Sequence, residues 1–401
     1  MIKAASIAYA VFMAALTGLF CFGMVLVFSL NTNLEDHYQM QASLVQDSYS
    51  ALAYGRANFY ELVEDQWNDG PGISPGITHR FKKQPWGLFH VLSTQSKSKS
   101  DTLTQHYLVA PEMEQNAPVL YLRDNGEPLK LSGEVTITGN INCGSKGIKK
   151  VQIESQVVNK INQNGVVSTA GTITPKLNLT PSLLPENLLE ATVLDPQLST
   201  SIDFNEPMGL IMADRLIANV NIAGNVAIQS KDTLTIAATA ILKDVLVIAP
   251  KVIIQSGFKG SLQVLAGQEI VLEQEVSLVY PSALVITGKI QEKSNITLGK
   301  SCSVAGAIVV PGQGMQAESN HTIIIGEDSK VTGQIYSGGT LELYGNVAGQ
   351  IVAASLLHKG KSTQYSNLLK DIKVEWPEQP QWLFGVNKDN SFNPPLVLKK
   401  V

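Results

Sequence analysis

The chain has 401 residues and a formal net charge of -4, so it carries no overall basic footprint, which argues against nucleic acid as a partner. Charged residues are only 16% and aromatics 6%, while Gly is plentiful at 32, a composition that suits a β-rich body with tight turns better than a helical enzyme. The 3 cysteines, Cys21, Cys143 and Cys302, are too few for a disulfide framework, and a Cys143–Cys302 bridge has no spacing signature.

From Ala4 to Leu30 the chain is uncharged and almost wholly apolar or small. Roughly 27 residues at about 1.5 Å each cross a bilayer with some tilt. The run exceeds a signal-peptide core and exits through Phe28-Ser29-Leu30-Asn31 without a small-x-small site, so residues 1–30 read as an uncleaved anchor. Lys3 on one flank and Glu35 and Asp36 on the other place the N-terminus in the cytoplasm. The expectation is a single-pass cell-membrane protein with its body outside, in the periplasm.

Residues 31–66 read as an amphipathic stalk helix. Tyr38, Ala42, Val45, Tyr49, Leu52, Arg56, Phe59 and Val63 alternate spacings of four and three, a heptad seam that Arg56 breaks once. The seam suits either a dimeric coiled coil or one helix lying on its own domain. Asn68-Asp69-Gly70-Pro71-Gly72 should end the helix. Residues 73–127 then read as a small β-containing module, with strand-like pieces at Phe89–Leu92, Tyr107–Val109 and Val119–Leu122 and a Ser/Lys-rich turn at Ser96–Ser100.

Residues 128–142 read as a first solenoid-like coil, and 143–207 as an inserted excursion or linker. The latter holds Pro175, Pro181, Pro185 and Pro196, and Leu183–Leu194 has the pattern of a short helix. Residues 208–357 read as a single-stranded parallel β-helix, a solenoid, and 358–401, with Trp376 and Trp382, as its C-terminal cap. One phrase recurs: Val135, Ile137, Gly139, Asn140, Ile141; Val220, Ile222, Gly224, Asn225, Val226; Leu341, Leu343, Gly345, Asn346, Val347. A second repeats after about 27 residues, matching Leu298-Gly299, Val304, Gly306 and Ile308 to Ile325-Gly326, Val331, Gly333 and Ile335. Alternating apolar residues turn one strand face inward, and Gly-Asn supplies a corner with positive φ. In this register Leu341 and Leu343 point inward and Glu342 outward. A β-sandwich with Gly-Asn hairpins is the competing architecture.

Candidate chemistry is sparse. Glu273 and Glu275 are two apart and would share a strand face, as paired carboxylates of a glycan-cleaving enzyme could, although such a pair is more often a solvated face. His37, His79, His90, His106, His321 and His358 are scattered without metal-ligand spacing. Gly312-Gln313-Gly314 and Ser337-Gly338-Gly339 read as turns. No catalytic constellation, cofactor motif or metal set emerges.

Thr322–Ser355, through Ile325-Gly326, Val331-Thr332-Gly333, Gly345-Asn346-Val347 and Gly349-Gln350-Ile351, resembles the coils of bactofilins. These are polymer-forming cytoskeletal proteins, so the resemblance implies a β-helix with a structural role. The N-terminal helix with its amphipathic extension is similar in layout to type IV pilins and pseudopilins. Met1-Ile2-Lys3 gives no basic leader ending in Gly, and the apolar run has no Glu. Together these readings point to a membrane-anchored structural or assembly protein of the bacterial cell envelope, with other envelope proteins or further copies as partners. The alternative is an anchored polysaccharide-active enzyme or binder of cell-wall or surface glycan.

Overall fold

The structure is a computed structural model that describes residues 4–72, 74–99, 101–113, 117–153, 160–175, 177, 191–195, 198–288, 292–312, 320–376, 384–385 and 394–401. Met1-Ile2-Lys3, Ser100, Pro181, Pro185, Pro196, Gln313, Gly314, Trp382 and most of Leu183–Leu194 lie outside the described residues. The protein is mainly β, with one long apolar N-terminal helix. It divides into two compact units: Met1–Gly55 with Asn68–Phe81 and Thr94–Gln105, and Arg56–Trp67 with Lys82–Ser93 and His106–Val401.

The first unit is dominated by the helix Ala4–Ala57, 54 residues without a proline. Its first half exposes apolar side chains such as Phe12, Phe20 and Phe28. In the second half the seam positions Tyr38, Val45 and Tyr49 are 67%, 45% and 64% exposed, so of the two alternatives the helix does not lie on its own domain by these residues. The buried stripe is instead Leu44, Asp47, Ser48 and Ala51, also at helical spacing. Asp47 of that stripe accepts from Ser74 Oγ at 2.8 Å in the loop before the strand Thr78–Trp86, and beside the stripe the Tyr54 ring lies 5.4 Å from that of Phe81 in the strand. The helix also stops at Ala57 rather than near Gln66, and Trp67–Asp69 is a strand. Asn58 opens a turn, accepting from the Glu61 N–H at 2.9 Å, and Phe59 leaves the helix to become buried under the Lys83 ammonium.

The second unit is built from parallel ladders that close around an apolar interior, with further strands outside them. In the first ladder Ile211, Ile228, Val247, Val264, Leu284, Ile308, Ile335, Ile351, Leu120 and Ile141 stand in one register, all buried. A second stacks Leu234, Val252, Ile270, Ile296, Ile323, Leu341 and Leu356. A third stacks Leu278, Val304, Val331, Val347, Val374 and Ile137. The inward side chains of the three ladders share one dry core, which is why β-branched and leucine side chains recur at these positions. The repeat at Leu298, Val304, Gly306 and Ile308 is a true register match, each pairing with its counterpart at Ile325, Val331, Gly333 and Ile335.

The order of layers differs from the order of the chain. Leu129–Ile141 does not precede the layers that begin near Met208. Leu120–Leu122 pairs with Ile351–Ala353, Ile141 pairs with Leu120, and Val167 pairs with Ile141. The other end of the stack carries Thr192–Val193 on Ile211–Met212 and Ser199–Ile202 on Asn221–Gly224. The stretch 143–207 thus contributes strands at both ends. The tail is not only a cap either, because Val374 sits between Val347 and Ile137 in the third ladder. Pairing of this kind covers the edge that Asn346–Lys359 would otherwise present.

The outer side of the first ladder is also dry. Leu246, Leu265, Val285, Val309, Tyr336 and Val352 form a second buried cluster with Trp86, Phe89, Leu108, Phe204 and Phe384. Gln263, fully buried on the same outward face in the row of Leu246 and Ala283, clamps the turn at Gly87: its Nε2 donates to Trp86 O at 2.9 Å, and the Leu88 N–H donates to its Oε1 at 2.7 Å. Further along the row, Gln334 Nε2 donates to Gln350 Oε1 at 2.5 Å, and Gln350 Nε2 to Pro118 O at 3.0 Å.

The Gly-Asn phrase joins two different corners. Gly306, Gly333 and Gly349 stack with φ of +147, +139 and +152, and Gly139 (φ +132) follows the same corner. A Cβ on Gly333 would lie 1.8 Å from Gly306 O, and one on Gly349 1.8 Å from Gly333 O. Gly345 belongs to another corner and has no positive φ; it is glycine because a Cβ would meet Ser329 O at 2.4 Å.

Candidate functional site

The first unit contains a buried polar chain running from the helix into the strands. His79 Nδ1 lies 3.0 Å from Ser96 Oγ, and His79 Nε2 lies 3.8 Å from Asp47 Oδ2, longer than a hydrogen bond. Asp47, His79 and Ser96 are 6%, 1% and 0% exposed. Burial pushes the His79 pKa down, and the Asp47 carboxylate opposes that shift. The residue types match a nucleophilic relay, but a serine hidden from solvent offers no attack on a substrate. The chain fastens the helix to its strands.

Two more Ser–His pairs are equally enclosed. Ser93 Oγ is 2.7 Å from His106 Nδ1, and Ser294 Oγ is 2.7 Å from His321 Nδ1. Burial lowers the His106 pKa, with Asp203 opposing and Lys82 reinforcing. His37 lies 3.7 Å from Asp101, and the His358 ring is 5.2 Å from that of Tyr344. Among the described residues no group of three His, Cys, Asp or Glu side chains is placed to hold a metal ion.

Glu273 and Glu275 do not share a strand face. They lie in the turn after the strand Lys259–Leu272, where Glu275 has a φ of +59. Glu273 Oε2 accepts from both the N–H and Oγ of Ser256 at 3.0 Å, so it ties one turn to the next. Ser337-Gly338-Gly339 lies inside the strand Lys330–Leu343 at a register shift, where Gly338 passes close to Gly312. Cys143 and Cys302 are separate buried thiols, both held above the usual cysteine range by burial; Cys302 Sγ donates to Glu273 O at 2.8 Å.

What sequence reasoning missed is a polar cleft of about 360 Å³ in the first unit, lined by Gly76, Thr78, Arg80, Gln95, Lys97, Ser98 and Lys99. Strand alternation makes it: His79, Phe81 and Ser96 are buried, so Thr78, Arg80 and Lys97 face out. The Lys97-Ser98-Lys99 stretch looked like an ordinary solvated turn.

No protein-family model and no curated protein matches the chain. Among solved structures, the competence-associated pilin ComZ from Thermus thermophilus is similar at 9% identity, over 80% of this chain and 82% of that one, with a TM-score of 0.20. The N-terminal helix is long and apolar enough to cross a membrane.

Proposed function

We propose that this is a single-pass membrane protein whose body is a single-stranded β-helix outside the cytoplasm, acting as a structural or assembly component of the bacterial cell envelope, in the manner of a pilus-type subunit. The observation that carries this reading is the unbroken helix Ala4–Ala57, apolar and exposed in its first half and docked on strands in its second. The in-register parallel layers support the β-helix, and the exposed face at Tyr38, Val45 and Tyr49 supports contact with another envelope helix or a second copy. The role is non-enzymatic in this reading.

Protease added to intact spheroplasts tests the topology. Digestion after residue 30 is the expected result; protection until lysis would overturn the extracytoplasmic placement. Cysteine placed at Tyr49 in a Cys21→Ser background tests association: oxidation in the membrane should give a disulfide-linked species, and monomer alone would refute contact between copies through this face.

A further inference from the structure

We propose that the exposed face of the helix Ala4–Ala57 is a self-complementary seam, along which two copies pair as a parallel, in-register two-stranded coiled coil that runs through the membrane span. The inference deepens the contact between copies at Tyr38, Val45 and Tyr49, and it rests on that contact and on the span. Tyr38, Ala42, Val45 and Tyr49 are all exposed, whereas Leu44, Asp47, Ser48 and Ala51 are buried. Leu52 is half-buried and Arg56 Nε donates to Pro395 O at 2.7 Å, so the free face ends at Tyr49. Toward the N-terminus the same alternation of three and four reaches Glu35 and Asn31. It then enters the span through Phe28, Met24, Cys21, Thr17, Ala14 and Ala10. Every one of these residues is exposed, and no proline interrupts the helix between them.

Three properties select a second copy as the occupant. A seam that repeats every 3.5 residues over about 40 residues drifts around a straight helix by about 20° per heptad, so it stays covered only by a partner with the same repeat, wound with it as a left-handed supercoil. An identical chain supplies that repeat, and insertion in one direction sets both copies parallel with equal residues at equal depth. Small side chains come next. Ala10, Ala14, Thr17 and Cys21 let two backbones approach closely within lipid, where helix association rests on packing. Above the span, Val45 and the rings of Tyr38 and Tyr49 add burial from water. The flanking positions Gln39, Gln41 and Gln46 are uncharged, so they neither repel a second copy nor direct the face to a helix of complementary charge. Asn31 would meet its own copy as an amide pair, a device that fixes register. Glu35 alone opposes pairing, because its carboxylate would face another.

The test reconstitutes the full chain in phosphatidylcholine vesicles and reads disulfide-linked dimer on non-reducing gels after copper–phenanthroline oxidation. The unaltered chain should link through Cys21. In a Cys21→Ser background, Phe28→Cys, Ala42→Cys and Tyr49→Cys should link about tenfold faster than Asn33→Cys and Met40→Cys on the opposite face, because pairing raises the effective concentration of seam thiols. Glu35→Gln should raise the dimer about fivefold, the factor that two like charges about 4 Å apart in water impose. Val45→Asp, at a position exposed in the single chain, should abolish linking through Cys21. Equal rates on both faces would mean random collision and overturn the seam. Links at Tyr49→Cys without links at Cys21 would leave the contact between copies standing and overturn pairing through the span. No link at any position would overturn a second copy as the occupant, in favour of a different helix. Insertion is read separately by resistance to carbonate extraction, and its loss would overturn the membrane span together with this proposal.

Discussion

Gly333→Ala places one methyl group where two layers touch. At φ +139 a side chain is strained whatever the space around it, and the new Cβ would lie 1.8 Å from Gly306 O. A carbon and an oxygen need about 3.3 Å, so the layers must part by more than an ångström. Backbone strain of roughly 1–3 kcal/mol and the weakening of one or two ladder hydrogen bonds at about 1 kcal/mol each give a cost of about 2–5 kcal/mol. Gly257→Ala is the matched control, with φ +79 but nothing within 4 Å of the added Cβ. It should cost only about 1–2 kcal/mol. Urea titration of both variants of the full chain in detergent, followed by far-ultraviolet circular dichroism, separates strain from close approach. Equal midpoints for the two would refute the stacked-corner argument.

Gln263→Leu should cost about 2–4 kcal/mol, because it strips partners from the buried Trp86 carbonyl and Leu88 N–H; a thermal melt no lower than wild type would contradict the clamp. Glu342→Lys should not be silent. Glu342 points outward yet is 4% exposed and pairs with Lys359 at 2.6 Å, so reversal should cost about 2 kcal/mol after discounting for the half-exposed lysine, read by the same urea titration. His90 is held down to about 4, chiefly by burial, with Glu64 opposing and Lys83 reinforcing. The unfolded chain therefore takes up this proton first as pH falls below about 6.5, and stability should drop between there and about 4. His90→Gln should flatten that part of the pH–stability curve.

Inner columns were legible because every second residue of a strand faces one way. Leu341 and Leu343 are buried, as expected, and the Gly306–Gly333 and Ile308–Ile335 matches are in register. The Gly-Asn phrase misled because it has two causes: positive φ at Gly139 and Gly224, and close backbone approach at Gly345. The face of the helix that docks on the strands was hidden for a related reason. Asp47 and Ser48 look like solvent-facing residues, yet both are buried, Asp47 beside Ser74 and His79 from the segment that follows the helix. The stacking of Leu120 on Ile351 could not be read from periodicity, which fixes what faces inward but not which layer lies beneath. Arg80, Lys97 and Lys99 are brought together only by the pairing of strands.

The layer order also bears on how the protein is made. Leu120–Leu122 leaves the ribosome long before Ile351–Ala353, yet each completes the other's hydrogen bonds. Val374 arrives later still and fills the gap between Val347 and Ile137. The early strands must therefore wait as an unfinished edge through most of synthesis, with the apolar column around Ile137 and Ile141 uncovered. A nascent chain stalled before Val374 would keep that edge open and be prone to aggregate. Arrival of the strand at Val374 is thus the event that closes the third ladder between Val347 and Ile137.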